Sequence, residues 1–140
     1  MKPIYHTNGC ECQYCAQKHH NSEQKLFFEI KKIYNDSVYE YRNKSIFGSR
    51  ISFDIFIPSL KTIIEYQGTQ HFKPIDYFGG EKEFKKRIKT DKIKNNLCKK
   101  NEYNIFYFTF NKNDIPNEYF GEIFSDINEL LKKLKTLSEL

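Results

Sequence analysis

A chain of 140 residues is long enough for one domain with its own core and leaves little room for a second. With 39% hydrophobic and 16% aromatic residues it is not a disordered tail, and no run approaches the roughly 18 apolar residues of a membrane span. The net charge of +5 is unevenly placed: Lys82 to Lys100 holds nine Lys or Arg against Glu83 and Asp91, which points to a polyanionic partner, nucleic acid first, or else to a solvated helix face.

Met1-Lys2-Pro3 is followed by no apolar signal region, so an intracellular, cytoplasmic protein is expected. Residues 1–21 lack helical or strand periodicity but hold His6, Cys10, Cys12, Cys15, His19 and His20. Cys12-Gln13-Tyr14-Cys15 has zinc-knuckle spacing, and Asn8-Gly9 supplies a turn before it. A structural Zn²⁺ on Cys10, Cys12, Cys15 and one of His6, His19 or His20 is expected, its binding energy folding a segment with no core. Spacing does not select the histidine. The unusual Cys10-Glu11-Cys12 leaves open a flexible terminus with reactive thiols. The chain thus divides into a zinc-binding segment, 1–21, and a main domain, 22–140.

Ser22 is a candidate N-cap, and Glu23, Leu26, Phe27, Ile30, Ile33 and Tyr34 follow at helical spacing on one face. Glu23 therefore points toward the core side, or simply complements the helix dipole in the first turn. Val38-Tyr39-Glu40-Tyr41 reads as a strand, and Asn43 to Arg50 as a loop containing Gly48.

Two short apolar runs, Phe53 to Ile57 and Ile63 to Tyr66, alternate with period two and are joined at Pro58-Ser59-Leu60-Lys61, which predicts an antiparallel hairpin. Centring the turn between Ser59 and Leu60 sets Asp54 opposite Glu65. Opposed side chains have Cβ atoms roughly 4.5–5.5 Å apart, so two like charges there repel unless a divalent cation lies between them. Gln67 shares the face of Glu65.

Thr69 to Gly80 is polar and turn-rich, a functional loop by composition, and puts His71 just beyond the acid-bearing strand. Residues 81–100 predict a helix, interrupted or not, because Phe84, Ile88, Asp91 and Cys98 fall on one side and Ile93 and Leu97 nearly opposite. Asp91 then faces inward, or pairs with Arg87 or Lys94. Asn104 to Phe110 is apolar on both faces, as in a strand covered on both sides, and Phe124, Ile127, Leu130, Leu131, Leu134 and Leu137 form the stripe of a last helix. Together these elements give an α/β fold, a mixed sheet of about four strands flanked by helices.

Asp54, Glu65 and Gln67 on a hairpin between two helices resemble the PD-(D/E)XK, restriction-endonuclease-like nuclease superfamily, with its αβββαβ core. The run from Phe53 to Pro58, Ile64 through Phe72, Phe78-Gly79-Gly80 and Asp91-Lys92-Ile93-Lys94 looks like its phage and homing branch, related to very-short-patch repair endonucleases. The resemblance covers about residues 22–110. Homing members of that branch carry a Glu, Asp, His, Asp (EDxHD) signature, which falls on Glu23, Asp54, His71 and Asp91. The Cys-rich start looks like a zinc-binding segment that often precedes such cores. Two positions depart from the superfamily pattern: Gln67 stands where Lys is usual, and Ser52-Phe53, with no proline, precedes Asp54.

The resemblance implies an enzyme, a Mg²⁺- or Mn²⁺-dependent endonuclease that hydrolyses DNA phosphodiesters, of phage, homing or repair type. Asp54 and Glu65 would hold the ion and Gln67 would hydrogen-bond a water. His71 would be general base with Asp91 orienting it, and Glu23 would act on metal-bound water or a second ion. Lys85, Lys86, Arg87, Lys89 and Lys92 would bind the DNA backbone. Cutting both strands would take a homodimer or two successive nicks, and specificity would come from DNA structure, a short sequence or a protein partner. If phage-encoded, the protein would work in the host cytoplasm. Two rival readings are a nuclease-fold nucleic-acid-binding module whose chemistry has lapsed, which Gln67 keeps open, and a zinc-dependent adaptor acting through the Cys cluster.

Overall fold

The computed structural model describes residues 22–68, 72 and 80–140. Residues 22–31 form helix α1. Then come β1 (Val38–Tyr41), the one-turn helix α2 (Lys44–Phe47), β2 (Phe53–Ile57), β3 (Thr62–Tyr66), the long helix α3 (Gly80–Lys100), β4 (Asn104–Phe108), β5 (Glu122–Phe124) and α4 (Ile127–Ser138). The strands make one mixed sheet in the order β1-β2-β3-β4-β5. β1, β2 and β3 pair antiparallel, and β3, β4 and β5 run parallel. The expected α/β class is present, with five strands instead of about four. The extra one is β5, which takes Phe124 from the stripe of the last helix; its ring packs edge-on to Phe106 at 5.9 Å.

The β2–β3 hairpin has the register that alternation implies, Ile55 facing Ile64, Phe56 facing Ile63 and Ile57 facing Thr62. A 3-10 turn over Pro58–Leu60 closes it, with Lys61 in the left-handed region at φ 49. Asp36 braces the turn, accepting from the Ser59 backbone N–H at 2.8 Å.

Helices cover both faces, so the inner strands can be apolar on both sides. On one face Leu26 and Ile30 of α1 and Leu130 and Leu134 of α4 are buried over Ile55, Ile57, Ile64, Phe106 and Phe108. On the other, Phe47 of α2 and Cys98 of α3 pack with Phe53, Ile63, Ile105 and Tyr107. Phe53 and Ile55 are two residues apart, yet they pack on opposite faces. The break in alternation falls at Asp54. Across on β1, between the paired residues Tyr39 and Tyr41, Glu40 has φ 56, a left-handed conformation that rotates the strand locally.

Several local expectations change. Ser22 is already helical, and α1 ends before Ile33, which is 57% exposed. Asn43 to Arg50 is not all loop: the Asn43 side chain accepts from the Ile46 N–H at 3.2 Å and caps α2, which Gly48 ends at φ 93. α3 is uninterrupted. Its buried residues are Asp91, Asn95 and Cys98, spaced four and three apart, so the inward stripe is largely polar. Among the described residues no helix is long and apolar enough to cross a membrane. The expected zinc segment, with His6, Cys10, Cys12, Cys15, His19 and His20, and the expected base His71 lie outside the described residues.

Candidate active site

Where β2 and β3 pass the last paired residues, Ile55 and Ile64, two carboxylates continue the ladder. Glu65 Oε2 accepts from the Asp54 backbone N–H at 2.8 Å, and Asp54 Oδ2 accepts from the Tyr66 backbone N–H at 2.8 Å. Each acid therefore spends one oxygen on the opposite strand, an arrangement that fixes both side chains without using up their negative charge. The facing of Asp54 and Glu65 expected from the hairpin is thus realised by this reciprocal bonding.

The electrostatics are those of crowded acids. Burial, then the charges of Glu65 and Glu23, push the Asp54 carboxyl up to about 8, against the Tyr66 N–H and Lys94, which pull it down. Glu23 comes from α1 and accepts a short hydrogen bond from the Tyr39 hydroxyl. Burial and Glu23 together raise Tyr39, so its hydroxyl stays a neutral donor. The inward direction of Glu23 inferred from its stripe is the one observed.

α3 completes the site from the other layer. Lys94 forms an ion pair with Glu65 Oε1, and its ammonium lies 5.1 Å from the centre of the Phe53 ring. Three residues earlier, Asp91 is buried and lies 3.3 Å from Gln67 Nε2, which also donates to the Tyr119 hydroxyl at 2.8 Å. The Gln67 amide hydrogens are thus committed to Asp91 and Tyr119. Asn95 donates to the Tyr107 hydroxyl at 2.7 Å, one residue along β4 from the parallel neighbour of Ile64. Burial raises both phenols, Tyr107 and Tyr119, and keeps them neutral.

Glu23, Asp54, Glu65, Gln67 and Asp91 are therefore gathered at one end of the sheet, between α1 and α3. The hairpin reading placed Asp54, Glu65 and Gln67 there and the family resemblance added Glu23 and Asp91, whereas Lys94 was considered only as a partner of Asp91, and Tyr39, Tyr119 and Asn95 were missed. The signal for Lys94 and Asn95 was helical spacing, three and four residues beyond an inward Asp91. Nothing local marks Tyr119, which reaches Gln67 from 52 residues away. Of the expected DNA-binding residues, Lys85, Lys86, Lys89 and Lys92 are exposed on α3, Lys86 beside Glu83 at 3.5 Å, and Arg87 is half-buried.

Among the described residues no group of three or more His, Cys, Asp or Glu side chains closes on a point that could hold a metal. Mg²⁺, however, is commonly held by only one or two carboxylates, with water and substrate phosphate completing its shell. Asp54 and Glu65 fit that requirement, since both are fixed by backbone N–H groups and the charge of Glu65 raises the proton affinity of Asp54, a repulsion that a cation would relieve.

Two curated viral proteins are similar over part of the chain. Uncharacterized protein 307L of Invertebrate iridescent virus 6 is 30% identical over 74 residues, 52% of this chain and 38% of that protein. Uncharacterized protein 094L of Frog virus 3 (isolate Goorha) is 38% identical over 55 residues, 38% of this chain and 36% of that protein. The chain thus spans less than two-fifths of either relative. No protein-family model matches the chain, and no solved structure matches it.

Proposed function

We propose that the protein is a metal-dependent endonuclease that hydrolyses phosphodiester bonds in DNA. The observation that carries this reading is the reciprocal bonding of Asp54 and Glu65 across the β2–β3 hairpin, with the Lys94 ammonium on Glu65. Two fixed acids and one fixed cation are the groups that phosphodiester hydrolysis needs. The element order α1, β1, β2, β3, α3, β4 supports a restriction-endonuclease-like αβββαβ core, and the exposed lysines of α3 support a nucleic-acid substrate.

Asp54 and Glu65 would hold Mg²⁺ or Mn²⁺, which when bound supplies a Lewis acid for the scissile phosphate and activates the attacking water. The remaining work falls to this chain. Lys94 brings a positive charge to Glu65 and takes over the task of the lysine that Gln67 replaces, stabilising the charge that builds on the phosphorane. Gln67, held by Asp91 and Tyr119, anchors the α3 side of the site. Glu23 adds negative charge toward Asp54 and strengthens its hold on a cation. His71, four residues past Gln67, is the proposed general base. Structural Zn²⁺ on the Cys-rich segment remains part of the proposal.

Nicking of a supercoiled plasmid in Mg²⁺ or Mn²⁺, against EDTA, tests the reading. Asp54→Asn, which keeps an acceptor for the Tyr66 N–H, is expected to lower cleavage by roughly a thousandfold or more, since several kcal/mol of transition-state stabilisation rest on the ion. DNA binding should persist. Cleavage undiminished in Asp54→Asn overturns the site. One observation favours a second reading, a nucleic-acid-binding module whose chemistry has lapsed: Lys94 already compensates Glu65. That module would retard DNA in a gel and cut none of it with either metal.

A further inference from the structure

Two phenols hold the start of α1 against the sheet. The Tyr39 hydroxyl of β1 donates to Glu23 Oε2, and the Ser22 side chain hydrogen-bonds the Tyr66 phenol at the end of β3. Tyr39 reaches α1 because β1 turns over at Glu40. Tyr39 packs with the core under α1, 5.3 Å from the Phe27 ring, whereas Tyr41, two residues on, packs with the core under α2 and α3. Tyr39 is paired with Ile55, which adjoins Asp54 in β2. The charge of Asp54 acts on the Tyr39 phenol, and that of Glu23 acts on Asp54, so the three groups share one neighbourhood.

We infer that Tyr39 is a positioning residue of the carboxylate site: its hydroxyl holds the Glu23 carboxylate near Asp54, where the charge of Glu23 strengthens the hold of Asp54 and Glu65 on a divalent cation. The inference rests on the metal-dependent reading above and gives a role to a residue that the reading leaves without one. Among the described residues three acids do not close on one point, so Glu23 acts through its charge and not as a ligand. A glutamate in the first turn of a helix has several rotatable bonds, and a charge-assisted hydrogen bond selects one direction among them. The donor type matters. A phenol fixes the acid and leaves its negative charge in place, whereas Lys94 pairs with Glu65 and compensates it. The Tyr39 ring has a separate task, packing on Phe27, so hydroxyl and ring can be tested apart.

The test is binding of Mn²⁺ alone to the full chain, read by electron paramagnetic resonance of the free ion, with Asp54→Asn marking which binding belongs to the site. Tyr39→Phe removes the hydroxyl and keeps the ring. Glu23→Gln keeps an acceptor for Tyr39 and removes the charge. Each is expected to weaken Mn²⁺ binding by about tenfold, the low end of what outer-shell partners contribute. The double variant should bind within about twofold of Glu23→Gln, because the hydroxyl has no charge left to place. Undiminished affinity in Tyr39→Phe overturns the inference, as does the same loss from Tyr39→Phe in the Glu23→Gln background, which would mark a merely structural role. Glu23→Gln alone decides if Tyr39→Phe fails to fold: undiminished Mn²⁺ binding there also overturns the inference. Failure of the two readings looks different. Mn²⁺ binding that Asp54→Asn removes and Tyr39→Phe spares leaves the metal site and strikes out Tyr39. Wild type without Mn²⁺ binding at Asp54 strikes out both.

Discussion

At the scale of single residues, the site is a balance of charges that a metal or a proton would alter. Asp54 binds its proton more tightly in the folded chain, near 8 against an ordinary value of 3.8, because it is buried beside Glu65 and Glu23. The folded state of the metal-free protein therefore holds more protons than the unfolded state between these values, and stability falls as pH rises through that window. Urea unfolding in EDTA from pH 4 to pH 9 should show this decline, and Asp54→Asn should flatten it. Each tenfold in proton affinity is worth ~1.4 kcal/mol. Lys94 has the opposite role. Lys94→Met leaves Glu65 buried without its cation and should cost about 3–5 kcal/mol in EDTA, the scale of a broken buried pair. Added Mg²⁺ should restore part of that loss, measured by the same unfolding curves. No recovery would argue against a cation at Glu65.

At the scale of elements, α3 explains both what the sequence revealed and what it concealed. Its inward residues, Asp91, Asn95 and Cys98, face Gln67, Tyr107 and the second core, so its buried stripe is polar where helix recognition looks for apolar residues. The hairpin was legible because two period-two runs flank a Pro-led turn, which left one register in which the apolar sets coincide. β5 was not legible: three residues, of which Glu122 is exposed, give alternation nothing to work on, and only pairing with distant β4 defines the strand. Helical spacing offered Lys94 only to Asp91; its pairing with Glu65 was not legible, because Glu65 lies on another element and no short-range pattern joins them. Close packing at the start of β5 supplies a test. A Cβ on Gly121 would collide with the Tyr107 ring and approach Asn95 Nδ2 at 3.3 Å. Gly121→Ala should destabilise by about 1–3 kcal/mol through overpacking and disturb the Asn95–Tyr107 bond, read by thermal unfolding.

At the scale of the molecule, the sheet separates two layers of different character. α1 and α4 seal an apolar core, whereas α3 carries the polar stripe inward and the lysines outward. On the endonuclease reading the exposed lysines of α3 meet the DNA backbone, and for B-form DNA each neutralised phosphate contributes a slope of about −0.9 to log affinity against log salt. Replacing Lys85 and Lys89 together by Ala should reduce that slope by about two and weaken binding alike for every sequence, as measured by salt titration. An unchanged slope would move the DNA to another face.

The reciprocal bonds at the head of the hairpin have one more consequence. Two backbone amides, those of Asp54 and Tyr66, donate to the two carboxylates that the proposed reaction uses. Their proton resonances are therefore natural gauges of carboxylate charge. Arrival of a cation, or loss of a negative charge, can be followed at two peaks in the amide spectrum of the ¹⁵N-labelled protein, with no substrate.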